Sequence, residues 1–163
     1  MTTYNSNKCL AGVQPRLLPS AGGVNALSLY TQNPALATND LVNMLNLVSD
    51  SSNPNGQGPT MQGITLDTDQ LDSGGSAAIV LSLGDTALST RYFSSISLGK
   101  TGGYAIPTTP AVLGYQPFGG SYFATYTTVS LATYTIILKC NTAAQTAVTT
   151  AQIRLATEYT YDP

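Results

Sequence analysis

The chain has 163 residues, enough for one domain with its own core, and only 9% of them are charged, for a net charge of −2. The six basic residues, Lys8, Arg16, Arg91, Lys100, Lys139 and Arg154, form no stripe that would displace counterions from phosphates or hold an anionic bilayer, so neither nucleic acid nor a membrane is expected as a partner. A hydrophobic content of 42% excludes disorder, and the abundance of Thr, with ten Tyr, predicts an all-β domain because branched and aromatic side chains fit a half-buried pleated surface.

In chain order, MTTYNSNKCLAGVQPRLLPSAGG lacks the basic-then-apolar layout of a secretory signal, and no apolar run approaches the roughly 20 residues of a spanning helix. A chain that starts here is expected to be made and kept in a cytoplasm. Pro15, Pro19, Pro34 and SAGG at 20–23 interrupt the first part, so residues 1–37 read as an extended arm lying on the domain or on a neighbour. Within it NALSLYT, residues 25–31, has the composition of a short edge strand. The sandwich itself is expected over 38–163. TNDLVNMLNLV, residues 38–48, is ambiguous: Leu41, Met44, Leu45 and Val48 have helical spacing, whereas Leu41, Leu45 and Leu47 share a strand parity. The surrounding composition favours the strand. SDSSNPNGQGPT, residues 49–60, is turn chemistry and reads as an exposed loop.

Strand signals then accumulate. QGITLDTD puts Ile64 and Leu66 on one face and Thr65 and Asp67 on the other, SAAIVLSLG (76–84) is a nearly continuous apolar run of strand length, and RYFSSISLG (91–99) follows a turn at Gly84-Asp85. Three prolines and several glycines in KTGGYAIPTTPAVLGYQPFGG predict a loop without regular structure over 100–120. YFATYTTVSL and TYTIILKCNT read as strands, AAQTAV breaks the run, and QIRLATEYTY alternates without a fault. Burying Ile153, Leu155 and Tyr159 on one face of that last strand contributes roughly 2 kcal/mol each. Seven or eight strands without a strong helix predict an antiparallel β-sandwich.

Four of the eight acidic residues lie between Asp67 and Asp85, three of them in TLDTDQLDSGG. A calcium loop of the EF-hand type starting at Asp67 needs Gly sixth and Glu twelfth, where the chain has Asp72 and Ala78, and Leu71 stands where a third oxygen ligand belongs. A looser calcium site and a hydrolase using Asp67 or Asp69 are the alternatives; the second needs a buried acid with a raised pKa, and these residues sit at a wet strand end. With no His in the chain, the commonest general base and any Ser-His or Cys-His triad are missing. SLGKTGG, residues 97–103, echoes a phosphate loop through Gly-Lys-Thr but lacks the upstream glycine spacing. The favoured reading of LDSGG is a turn, with Asp72 and Ser73 bonding nearby backbone and Gly74-Gly75 supplying positive φ. No enzymatic role, cofactor or metal is expected. Cys9 and Cys140 read as two free thiols, a disulfide requiring that the fold bring them together.

The order GITLDTDQLDSGGSAAIVLSLGD, RYF, a Gly-Gly loop, then TIILKCNTAAQTAVTTAQIRLATEYT resembles small virion proteins of tailed bacteriophages over roughly residues 62–161. The carrying motifs are Asp-x-Asp-x-Leu-Asp-x-Gly at 67–74, Leu-Gly-Asp at 83–85 and Ile-Arg-Leu-x-x-Glu-Tyr at 153–159. The resemblance implies a head decoration (cement) protein with a jelly-roll-like sandwich, forming a homo-oligomer, with a trimer favoured. It also implies a place on the capsid surface, with the major capsid protein as partner. The candidate contact residues are Tyr104, Tyr115 and Phe118, read as exposed aromatics of the 100–120 loop, together with Tyr122 and Arg91; the alternative for the loop aromatics is that they fold back over one end of the core. The long arm and the 100–120 insertion depart from the family pattern. The alternative is a tail, fibre or adhesin component that stacks a host glycan on Tyr104, Tyr115, Tyr122 and Tyr126.

Overall fold

A computed structural model describes residues 1–10, 24–48, 59–86, 88–107 and 133–161. The elements run β1 (Thr3–Asn5), α1 (Asn7–Leu10), β2 (Val24–Thr31), β3 (Leu41–Val48), β4 (Pro59–Thr68), β5 (Val80–Asp85), β6 (Phe93–Ile96), α2 (Leu98–Thr101), β7 (Gly103–Ala105), β8 (Thr133–Thr142) and β9 (Gln152–Tyr161). From β2 onward the chain is one long hairpin: β2 pairs with β9, β3 with β8, β4 with β7 and β5 with β6, all antiparallel. The hairpin is rolled so that β8 also pairs with β5 and β9 with β4. The result is two sheets, β1-β3-β8-β5-β6 and β2-β9-β4-β7. Eight strands arranged this way make a jelly roll, to which β1 adds a parallel ninth at the β3 edge.

The central strands are those whose sequence pattern is cleanest. Along β9, Ile153, Leu155 and Thr157 are buried while Ala156 and Glu158 face solvent, and along β8 Ile136, Leu138 and Cys140 are buried. These residues meet Ile64 and Leu66 of β4, Leu81 and Leu83 of β5 and Val42, Met44 and Leu45 of β3 in a single core. The ambiguity at 38–48 has a physical cause. A bulge between Asn43 and Leu45 lets Met44 and Leu45 both turn inward, so the apolar spacing departs from strict alternation although the element is a strand.

The edge strand expected at 25–31 is present as β2, at the edge of the second sheet; it is ladder-bonded to β9 along its length, and its Ala26 and Tyr30 belong to the core. Two expectations need correction. The stretch 100–120 does not begin without regular structure, because Lys100 and Thr101 close α2 and Gly103–Ala105 form β7 against β4. Gly102 and Gly103, with φ of 75° and 121°, make the reversal between the two elements, a conformation that side chains with a Cβ adopt rarely. The glycines of LDSGG, by contrast, are not at positive φ, since among the described residues only Gly102 and Gly103 are such glycines. Gly74 is needed for space: a Cβ there would lie 2.5 Å from Gln145 Oε1. The expected loop at 49–58, the remainder of 100–120 after Pro107 and the expected strand at 122–131 lie outside the described residues.

Candidate functional site

The Asp-x-Asp-x-Leu-Asp-x-Gly stretch starts at the end of β4 and runs into the turn that precedes β5, and the fold treats its three carboxylates in two ways. Asp72 is wholly buried. Its Oδ1 accepts the backbone N–H of Gly74 at 3.0 Å and of Thr146 at 2.9 Å, and its Oδ2 accepts those of Ala78, Gln145 and Ile79 at 2.7, 2.9 and 3.3 Å. Backbone pairing of Asp72 with Ala147 and a hydrogen bond from Ser73 N–H to Thr146 O join the same two segments. Burial opposes the charge, but the N–H groups of Thr146, Ala78, Gln145 and Gly74 outweigh it and hold the carboxyl well below the usual carboxylate range. A turn was expected here. The finding is a buried carboxylate that staples the 72–79 turn to the β8–β9 connection.

Asp67 and Asp69 lie on the outer face of the second sheet. Arg154 Nη1 donates to Asp67 Oδ2 and Asp69 Oδ1, each at 3.0 Å, and Arg154 Nη2 donates to Gln152 Oε1. Asp69 Oδ2 also accepts Gln152 N–H, and that bond, followed by the Arg154 contact, lowers its pKa. Both aspartate side chains are more than two-fifths exposed. A buried acid beside a second carboxylate, the arrangement of glycoside hydrolysis, is not what these groups form; each is balanced by a guanidinium at a wet surface. Among the described residues no group of three or more His, Cys, Asp or Glu is placed to hold a metal ion.

Asp85, at the end of β5, repeats the Asp72 theme. Its buried carboxylate accepts Leu88 N–H at 2.7 Å and pairs with Arg91 Nε. Arg91, a candidate contact residue, is thereby tied to its own hairpin. Gly84 beside it is fixed by close approach, since a Cβ would lie 2.1 Å from Leu88 O. The Gly-Lys-Thr of SLGKTGG is also structural. Gly99 O accepts the N–H groups of Leu71 and Asp72, and a Cβ on Gly99 would lie 2.8 Å from Leu71 Cδ1. That glycine brings the single turn α2 against the core under the Asp72 turn.

Exposed apolar side chains are the remaining surface feature. Tyr104 on β7 is 71% exposed and sits opposite Asp67 on β4, and Ile106 just beyond it is 53% exposed. Leu27 on β2 and Leu88 in the β5–β6 turn are also exposed. Sequence reasoning singled out Tyr104 and missed Ile106, Leu27 and Leu88, because an isolated apolar residue in a strand or turn carries no sign of which way it points. Tyr115, Phe118, Tyr122 and Tyr126 lie outside the described residues, so Tyr104 is the one candidate aromatic that the structure places. Cys9 and Cys140 are both free thiols, and burial pushes that of Cys140 up to about 11.

No family model matches the chain, and no curated protein matches it by sequence. Two solved structures do match. A chain of the capsid of Ralstonia phage GP4 superposes with a TM-score of 0.76 at 17% identity, covering 99% of each chain. A chain of the cyanophage Pam1 capsid asymmetric unit superposes with a TM-score of 0.62 at 21% identity, covering 91% of this chain and 94% of its own. The fold is one found in phage capsids. The match runs nearly end to end, so it takes in the whole jelly roll, and at these identities it speaks for the fold alone.

Proposed function

We propose that this protein is a non-enzymatic component of a bacteriophage virion that decorates the capsid surface and stabilises it by bridging subunits of the major capsid protein. The observation carrying this reading is the end-to-end likeness to a chain of the Ralstonia phage GP4 capsid, in which neither chain has a substantial part left over. The surface chemistry agrees with it. The acidic residues between Asp67 and Asp85 are engaged in holding turns and strand ends together, and what the second sheet offers outward includes the exposed apolar pair Tyr104 and Ile106. Contacts repeated over a lattice multiply a modest joint energy, so a standard interface of order 1,600 Å² per contact is sufficient for reinforcement.

The protein works as a homo-oligomer, a trimer on this reading, and its place is the outer surface of the particle. Weak net charge lets copies approach one another and the shell without strong repulsion. Co-sedimentation of the purified chain with capsids that lack it tests the proposal, with saturable binding expected. Tyr104→Ala combined with Ile106→Ser is expected to weaken that binding roughly tenfold while leaving the melting temperature unchanged, as for loss of an aromatic anchor. A chain that stays in the supernatant at every concentration rejects the proposal.

A further inference from the structure

The first seven residues close the side of the sandwich where an edge of each sheet lies open. Toward the first sheet, Leu41 N–H donates to Thr2 O, Thr3–Asn5 pair in parallel with Leu41–Asn43, Ser6 N–H donates to Asn43 O, and Ser6 Oγ–H donates to Met44 O. Toward the second, the side-chain oxygen of Asn7 accepts Leu29 N–H of β2 at 2.8 Å. Asp40 is the latch. Its buried carboxylate takes Thr2 N–H at 2.6 Å and Ala37 N–H at 3.0 Å, held in place by a turn in which Asn39 has a φ of 70°. Tyr4 lies over Tyr30, with ring centroids 6.0 Å apart.

This attachment is polar. Ser6 is the one buried residue among residues 1–9, and the half-buried Tyr4 is the apolar side chain of β1 packed against the core. Lifting the segment off is a local opening far less costly than unfolding the jelly roll. The site left behind is a different matter. It would present the Asn43 and Met44 carbonyls and the N–H groups of Leu41 and Leu29, each losing the partner named above, along two adjacent strand edges, beside a buried Asp40 carboxylate that keeps Ala37 N–H but loses Thr2 N–H. Such a site selects a short parallel strand with an aromatic residue, a hydroxyl two positions later and a carboxamide next to that. The sequence Thr3-Tyr4-Asn5-Ser6-Asn7 supplies all of these. The thirteen residues between Leu10 and Val24 can span at most about 45 Å, which is more than the width of a small domain.

We infer that this edge is a strand-acceptor site whose occupant is exchangeable, and that residues 1–7 of a second copy of the chain dock there in the same register, linking copies by reciprocal strand exchange. The site makes no distinction between its own segment and a neighbour's, because every contact named is with residues 2–7 alone. The inference concerns the protein free in solution and is independent of the capsid reading.

Asn5 and Asn43 are register partners whose side chains are hydrogen-bonded at 2.9 Å, which makes them a reporter pair. Full-length chains carrying Asn5→Cys and Asn43→Cys separately, both with Cys9→Ala, are mixed under mild oxidation, and the linked peptides are identified by mass spectrometry. The expected result is a covalent heterodimer joined through positions 5 and 43. A single chain carrying both substitutions closes on itself and shows that the pair can form. In parallel, a fluorescent peptide of residues 1–9 is titrated onto the unmodified chain. Saturable binding is expected, and Ser6→Pro in the peptide, which removes the donor to Asn43 O, is expected to lower affinity at least tenfold. Internal closure of the double variant without any heterodimer, together with no peptide binding, overturns the inference.

Discussion

Asp72 and the pair Asp67–Asp69 stand within six residues of one another and read as one motif, yet they live in opposite environments. Asp72 is removed from water and held by five backbone N–H groups, whereas Asp67 and Asp69 stay in contact with water and share one arginine. The difference teaches what the acidic cluster is for. A carboxylate that gathers N–H groups from two remote segments fixes the fold, because withdrawing it leaves several buried donors unsatisfied at once. One that meets a flexible arginine at the surface adds little, since water competes for both partners.

Four measurements break or sharpen that contrast. Asp72→Ala is expected to have the largest effect, a fall in melting temperature of roughly 10 °C or more, because the turn at 72–79 and the β8–β9 connection lose their common anchor. Circular dichroism melts read this directly. Acid follows. The folded Asp72 pKa lies below its unfolded value, so its contribution is complete above the ordinary carboxylate range near pH 4 and is lost progressively as pH falls below it. Wild type is therefore expected to destabilise on acidification, and Asp72→Ala to flatten that part of the stability–pH curve, as followed by urea titration. Gly74→Ala comes next, at about 1 kcal/mol, since the new Cβ displaces the Gln145 oxygen that accepts Ser76 N–H. Smallest is Arg154→Met, expected to cost less than about 1 kcal/mol, a loss that shrinks further in high salt. A salt-insensitive loss as large as that of Asp72→Ala would erase the distinction between the two groups.

Much of this architecture could be read from the residues. QIRLATEYTY and TYTIILKCNT alternate because each lies at the centre of a sheet with one face in the core, and both are strands over the spans that pattern predicts. Legibility fails where the decisive partner is distant or the element short. β1 and β7 have three residues each and exist only because β3 and β4 offer edges. The bulge at Met44 hides a strand behind helical spacing. Nothing in LDSGG reveals that the N–H groups of Gln145 and Thr146, more than seventy positions away, complete the coordination of Asp72. Arg91 shows the same limit from the other direction, since nothing around it in the sequence announces that Asp85 pairs with it.

The proposed function rests on one claim: this jelly roll, whose Asp72 and Asp85 are committed to its own turns, acts through its outer surface on a phage shell. Cryo-electron microscopy of virions purified from the lysate in which the chain is made addresses that claim most directly. Density for the β2-β9-β4-β7 and β3-β8-β5-β6 sandwich, repeated across the capsid exterior over joints between major capsid protein subunits, is the predicted result. Particles whose shells are complete without it, with the chain recovered only from the soluble fraction, would contradict the account.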